Sequence, residues 1–313
     1  MITLQKSPEK DFVVLNLTDT QLGTPDWEER HINNRVVVRT VTELIKRTSP
    51  DLITVTGDIS YAGDYEAYER FADFLDSFGI PWAPIWGNHD NQDGDEAVDK
   101  VASRYMEHHP LCIYEKGDPS LGNGNYVIAI EQEGKIVEGL IMTDTHDKIP
   151  QLIPAQVDWY KEQVDMLKRL GCKESALVLH VPIYAYREVW EQASKKDVDY
   201  RSIRAENSAD ASIWNDGFAA SFGVCHEDVY VYPSDDGAMQ AIVELGSTKH
   251  VICGHAHVNN FVIPYKGVTF VYALKTGTGS YCDPALNGGT VLSVSENGIS
   301  KVWHEYVDIS DLV

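Results

Sequence analysis

Five runs of the chain are apolar almost without interruption, and each one ends in a short polar cluster. They are FVVLNL (12–17), LITVT (52–56), WAPI (82–85), ALVL (176–179) and HVIC (250–253). Unbroken apolar runs of this length mark strands covered on both faces, as in parallel sheets. Between the first three, residues 33–48 and 65–78 carry helical periodicity. Strand and helix therefore alternate, and a mainly parallel sheet is expected. In the second half, 126–130 and 136–143 flank the turn EQEG and predict a hairpin. Residues 154–170 predict a helix with Pro154 in its first turn. VLSV and ISKVWHEY flank Glu296-Asn297-Gly298, a strong hairpin signal. The segment 184–236 shows no clear period and is dense in aromatic and charged residues. A long irregular segment in a compact domain is usually a lid or binding loop, and this one lies between two of the polar clusters. Repeats, low-complexity tracts and linkers are not evident, so one domain over 1–313 with two packed sheets is expected.

Composition narrows the partners. The chain has 313 residues, 43% of them hydrophobic, enough for a sizeable core. Its net charge of -22 and pI near 4.7 argue against binding a nucleic-acid backbone or an anionic membrane surface. No run approaches the roughly 20 apolar residues of a membrane span. No basic segment with an apolar run behind it opens the sequence, so a cytoplasmic location is expected, with a trimmed secreted form as the alternative. Cys112, Cys172, Cys225, Cys253 and Cys282 are odd in number and lack CxxC spacing, which fits neither a disulfide framework nor a zinc finger.

The polar clusters carry the chemistry. They are DTQ (Asp19 to Gln21), GD (Gly57, Asp58), GNHD (Gly87 to Asp90), His180 alone, and GHAH (Gly254 to His257). Carboxylates, imidazoles and amide carbonyls are the ligands of hard to borderline cations. They recur at the carboxyl ends of strands, where open α/β sheets bind ligands. Singly, each cluster has a plainer meaning: Gly-Asp is a common turn and a lone buried histidine is commonly part of a core. Together, and in this order, they point to a metal centre. His255 and His257 alternate along an extended segment and need a bend to converge, which Gly254 permits.

These clusters follow the pattern D-x-H, G-D, G-N-H-D/E, H, G-H-x-H, and the chain resembles the calcineurin-like metallophosphoesterases. GNYVIAI, QVDWY, ALVLHVPIY, CGHAHVNNF and KTGTGSY resemble the branch related to purple acid phosphatases. The resemblance implies a four-layer α/β/β/α sandwich of two mixed sheets flanked by helices. It also implies two divalent or trivalent metal ions (Fe, Mn or Zn) and hydrolysis of a small-molecule phosphate ester by a hydroxide held between them. By that pattern Asp19 and His257 hold the first ion, Asp58 bridges, and Asn88, His180 and His255 hold the second. His89 faces the phosphate and gives a proton to the leaving oxygen, with Asp90 orienting it. The departure is Gln21, where the pattern has histidine. Tyr61, three residues after Asp58, matches the tyrosine that ligates iron in purple acid phosphatases. Either Tyr61 or Gln21 therefore completes the first site. Asp144-Thr145-His146 is another D-x-H, out of order, and is expected to line the pocket rather than ligate.

Asn91, Arg187, Arg201, Arg204 and His226 are candidate phosphate contacts. Tyr184, Tyr186 and Trp190 could stack on a leaving group or pack the segment down. Phosphomonoester hydrolysis is the first expectation. A phosphodiesterase for nucleotides or lipid head groups, and a non-catalytic metal- or phosphate-binding module, are the alternatives.

Overall fold

The structure, a computed structural model, describes residues 1–24, 26–61, 64–92, 94–146 and 152–313. In chain order the strands are β1 (Ile2–Gln5), β2 (Phe12–Leu17), β3 (Leu52–Thr56), β4 (Trp82–Ile85), β5 (Tyr126–Gln132), β6 (Lys135–Met142), β7 (Ser175–Val178), β8 (Thr248–Cys253), β9 (Val262–Tyr265), β10 (Val268–Tyr272), β11 (Gly288–Ser295) and β12 (Gly298–Tyr306). The helices are α1 (Trp27–Thr48), α2 (Tyr65–Asp76), α3 (Asp95–His108), α4 (Pro154–Arg169), α5 (Ala185–Ala193) and α6 (Ala238–Leu245). One sheet runs β1-β5-β6-β7-β8-β10-β9 and the other β12-β11-β2-β3-β4. Both are mixed: β2, β3 and β4 are parallel, as are β6, β7 and β8, while β11 and β9 run against their neighbours.

The pleat explains the unbroken apolar runs. Along the larger sheet, Ile128, Ile130, Leu140, Met142, Ala176, Val178 and Ile252 enter the core shared with the smaller sheet. Their alternating neighbours Val127, Ile141, Leu177, Val251, Cys253 and Phe270 enter a second core with residues of α4, α5 and α6. Successive side chains leave a strand on opposite faces, so both faces of these strands are apolar. The smaller sheet packs with α1, α2 and α3 through Val36, Val41, Phe71, Leu75 and Ala102. Four layers result: helices, sheet, sheet, helices.

Two expectations shift. Helix α1 starts at Trp27, well before residue 33, because the Asp26 side chain caps it by accepting from Glu29 N, with Glu28 and Glu29 in the first turn. The polar first turn hides this start from a periodicity count. The segment 184–236 is not irregular throughout. It opens with α5, whose nine residues are too few to show a period, and short 3-10 turns follow. The Tyr186 hydroxyl donates to the carbonyls of Val251 and Val271, and Trp190 stacks on Phe261 at 5.1 Å. Both are packing residues and are not placed to meet a leaving group. Among the described residues, no helix is long and apolar enough to cross a membrane.

The carboxyl ends of β2, β3 and β4 on one sheet and β7 and β8 on the other meet at one end of the molecule. Every polar cluster of the sequence is delivered there.

Candidate metal centre

His180 Nδ1 donates to the carbonyl of Thr56 at 2.7 Å, joining the ends of β7 and β3 across the two sheets. That bond aims Nε2 at the cluster. Nε2 lies 3.2 Å from Asn88 Oδ1 and 3.4 Å from Asp58 Oδ1, and Asn88 Oδ1 lies 2.9 Å from His255 Nδ1. Ligands sharing an ion at about 2.1 Å sit roughly 3.0 to 3.4 Å from one another in octahedral or tetrahedral arrangements. Asp58, Asn88 and His180 are therefore spaced as ligands of the second cation, and His255 adjoins them through Asn88. One ligand atom each from Asp19, Asp58 and His180 also lies within 4.8 Å of the other two.

The electrostatics agree. Burial alone would push His180 down, but Asp58, then Asp19 and the Thr56 carbonyl, carry it up to about 10. Burial would likewise raise Asp58, and the charge and hydrogen bond of His180 hold it below the usual carboxylate range. The pocket attracts positive charge, whether a proton or a metal ion. Burial, with the charge of His180, pushes His255 down to about 4, so it is the neutral imidazole that ligates metals.

The backbone is strained at this point. Asp19, Asp58 and His255 have φ of 54°, 52° and 78°. The left-handed region costs a non-glycine residue about 1–2 kcal/mol, and such strain gathers at functional sites. Gly254 does not supply the bend. Its φ is outside that region, and a Cβ there would collide with Thr18 Oγ1. Glycine is required for room, and the bend is made at His255.

The first cation position is different. Asp19 Oδ2 accepts from Thr18 Oγ1 at 2.7 Å and from His255 N at 2.9 Å. Its Oδ1 is buried without a hydrogen bond, 3.5 Å from His257 Nε2. His257 Nδ1 donates to the carbonyl of Tyr281 at 2.8 Å, which leaves Nε2 with a lone pair. So far this is a ligand set. Gln21, fully buried, breaks it. Its Oε1 accepts from Lys275 Nζ at 3.2 Å, and Nε2 lies 3.3 Å from His257 Nε2 and 3.4 Å from Asp58 Oδ2. An ammonium has no lone pair to offer, so the amide oxygen must face Lys275 and the NH₂ must face the cluster. In this geometry Gln21, expected as a ligand, presents a donor to the cluster. Tyr61, the other candidate, is engaged elsewhere. Its hydroxyl lies with Ser280 and Thr24, and burial raises it above the usual phenol range.

His89 sits at the surface of the cluster. Its backbone N–H donates to Asp58 Oδ1 at 2.9 Å, and its ring is 26% exposed with Nε2 3.9 Å from Asp58 Oδ2. Gln92 Nε2 donates to Nδ1 at 2.7 Å, so the ring proton sits on Nε2. Gln92, and not Asp90, orients the ring. The Asp90 carboxylate is occupied elsewhere: it accepts from Gly87 N at 2.8 Å, Tyr68 OH at 2.6 Å, Ser60 N at 3.2 Å and Ile59 N at 3.4 Å. Those bonds tie the loop after β3 to the loop after β4. Burial and the charge of Asp58 push Asp90 up to about 6 against them.

The sequence profile of calcineurin-like phosphoesterases matches residues 12–259. The chain belongs to that family. The chain is 24% identical over 331 residues to "Probable inactive purple acid phosphatase 28" of Arabidopsis thaliana, covering 90% of the chain and 77% of the relative. It is 23% identical over 198 residues to a "Probable cyclic nucleotide phosphodiesterase" of Psychrobacter arcticus, covering 60% of the chain and 66% of the relative. Other curated relatives are longer, and the chain spans 63% of one and 54% of another. In fold it is similar to a dimetal phosphatase from Danio rerio, with a TM-score of 0.53 at 9% identity over 94% of this chain and 98% of that one.

The candidate phosphate contacts have partners of their own. Arg201 pairs with Asp228 at 3.2 Å and Arg204 with Glu206 at 3.7 Å, all four exposed. Arg187 reaches the carbonyl of Val231 and lines a cavity with Trp190, Tyr200 and Arg201. His226 Nε2 donates to the carbonyl of Ile203. Asn91 is buried and donates to the carbonyl of Gly87, bracing the loop. His146 sits beside Asp144 and Gly122. The residues that do frame the mouth are tyrosines. Tyr61, Tyr230 and Tyr281 pack their rings on His89, His255 and His257 at 4.7, 4.6 and 4.1 Å. Glu227 accepts from His257 N at 2.8 Å and from Tyr281 OH at 2.7 Å. Tyr230 and Glu227 come from the 184–236 segment, which reaches the site through them. Lys275, Gln92, Tyr230 and Tyr281 were not singled out from sequence. Only Lys275 left a signal, as a charge directly after the buried strand β10 and its two apolar successors.

Proposed function

We propose that this chain is a metal-dependent phosphoric ester hydrolase. The convergence of Asp58, Asn88, His180 and His255 beside a partly exposed His89 carries the reading. An ion held by those four residues supplies Lewis-acid polarisation of a phosphoryl oxygen and acidifies water. The protein does the rest. Thr56 fixes His180, and Asp90 holds the two loops that carry Asp58 and Asn88 in register. His89 keeps a proton on Nε2, the nitrogen nearer Asp58, with Gln92 holding the other nitrogen. It donates to the phosphate as charge develops and passes the proton to the leaving oxygen. A module that only bound phosphate would not require a proton-bearing imidazole fixed in one tautomer.

The mouth bears on which ester. A monoester brings two negative charges near neutral pH, and a diester brings one. The arginines expected to meet a dianion are paired elsewhere, and Glu227 adds negative charge next to His257. Half-exposed Tyr230 and Tyr281 offer faces to a flat group. These features favour a diester with an aromatic or nucleoside moiety over the monoester first expected from sequence. The test is a parallel assay of the Mn²⁺-loaded chain on p-nitrophenyl phosphate and bis(p-nitrophenyl) phosphate. Faster turnover of the diester supports the reading. A monoester preference reverses the order of substrates, and absence of turnover on both with the ion bound makes the chain a binding module.

A further inference from the structure

Lys275 decides what Gln21 can do, and with it how many ions the cluster holds. The lysine is 1% exposed, and its Nζ donates to the Asp19 carbonyl at 2.7 Å as well as to Gln21 Oε1. Its backbone is pinned on two sides: the Lys275 carbonyl accepts from Gly288 N, and Thr276 N donates to the Thr18 carbonyl. Gln21 is clamped as firmly. Its carbonyl accepts from Asn33 Nδ2 at 3.1 Å, and Asn33 Oδ1 accepts from Thr278 N at 2.6 Å. The segment that carries the lysine thus grips the loop that carries the glutamine.

We propose that the Gln21 amide, locked in direction by Lys275, fills the first cation position, so that the chain binds one divalent ion, at Asp58, Asn88, His180 and His255. The Gln21 NH₂ donates toward His257 Nε2 and Asp58 Oδ2, the lone pairs that a first ion would take. Turning the amide over would set its NH₂ against an ammonium, donor against donor. Charge points the same way. Asp19 and Asp58 together balance one divalent ion, and a second would lie beside the Lys275 ammonium, with only Glu227, behind the His257 backbone, to offset it. The chemical consequence is a site of lower positive charge than a two-ion centre, matched to a singly charged ester. The proposal rests on the functional reading only through the second position.

The experiment uses the full chain, freed of metal with a chelator and titrated with Mn²⁺. Equilibrium dialysis with elemental analysis counts ions, and electron paramagnetic resonance separates isolated Mn²⁺ from an exchange-coupled pair. The wild type should bind one ion per chain and give the isolated signal. Gln21→Glu keeps the shape and the Lys275 contact but turns an acceptor into the cluster. It should bind a second ion and give the coupled signal. Lys275→Met frees the amide to turn and should tighten a second ion at least tenfold, which keeps the test open if Gln21→Glu does not fold. A wild type that binds two ions with affinities within tenfold overturns the proposal and leaves ester hydrolysis standing. Variants that stay at one ion also overturn it. A wild type that binds no ion overturns both this and the functional reading.

Discussion

Across Asp58 lie two pockets assembled from the same kinds of strand ends. On the Oδ1 side, Asn88, His180 and His255 bring ligand atoms together, and the Thr56 carbonyl on the other sheet holds His180 from behind. On the Oδ2 side, Asp19 and His257 are equally well set, with His257 held by the Tyr281 carbonyl. The difference lies in Gln21 and in a lysine more than two hundred residues away. One donor aimed inward, and fixed there, is enough to turn a ligand cluster into a satisfied hydrogen-bond network. Ligand residue types at strand ends are thus necessary for a cation site. What decides occupancy is whether the remaining polar neighbours present lone pairs or protons.

The largest effect should come from the residue the two pockets share. Asp58→Asn removes one negative charge and puts a donor into the Oδ1 side, as Gln21 does on the Oδ2 side. Mn²⁺ binding should be lost, and turnover should fall by about a thousandfold or more as the Lewis acid goes with it. Dialysis and a steady-state assay check both. If Asp58→Asn keeps its ion at wild-type affinity, the Oδ1 pocket is not the cation site and the contrast between the two sides collapses.

Next in size is His89→Ala, which keeps the backbone N–H that donates to Asp58 and removes only the ring. Ion content should stay at the wild-type value, while kcat should fall about a hundredfold or more, the usual range for losing a positioned proton donor. The fall should be smaller on esters with good leaving groups, which need no proton. Equal losses on good and poor leaving groups would reduce His89 to a phosphate contact.

A moderate effect is expected at Asp90, which serves the Oδ1 side by construction and not by contact. Asp90→Ala strands the buried donors of Gly87, Ser60 and Tyr68, and should lower stability by about 1–3 kcal/mol. It should also weaken Mn²⁺ binding, because the loops bearing Asp58 and Asn88 lose their tie. Chemical denaturation with and without Mn²⁺ reads both. An ion affinity unchanged by the substitution would show that the loops hold their register without it.

How much of this was legible from sequence follows the physics. The unbroken apolar runs of β2, β3, β4, β7 and β8 gave the strands, because burial on both faces leaves no polar position to interrupt the pattern. The clusters at their ends gave the residues that meet on the Oδ1 side, because a strand end fixes where the next residue goes. Helix α5 was not visible because nine residues carry too few turns to show a period. The roles of Gln21, Asp90 and the arginines were not visible because each depends on side-chain direction. Lys275 and Gln21 are far apart in sequence, and nothing in either neighbourhood says that they touch.

The smallest effect is the most pointed one. If the Oδ2 side were a metal site completed by a phenolate, Tyr61 would be its ligand, and Tyr61→Phe would remove an ion and any colour from an iron-loaded chain. The structure instead sets the Tyr61 hydroxyl with Thr24 and Ser280 and uses its ring against His89 at 4.7 Å. Phenylalanine keeps that ring contact and loses only the hydroxyl's hydrogen bonds, at a cost of about 0.5–1.5 kcal/mol in stability. Ion count and kcat should therefore match the wild type, and the iron-loaded wild type should show no phenolate-to-iron absorption to begin with. A visible band that disappears in Tyr61→Phe would place the phenol on a metal ion. The loop bearing Tyr61 would then have to turn inward when the ion binds, and the Oδ2 side would be a cation site despite Gln21.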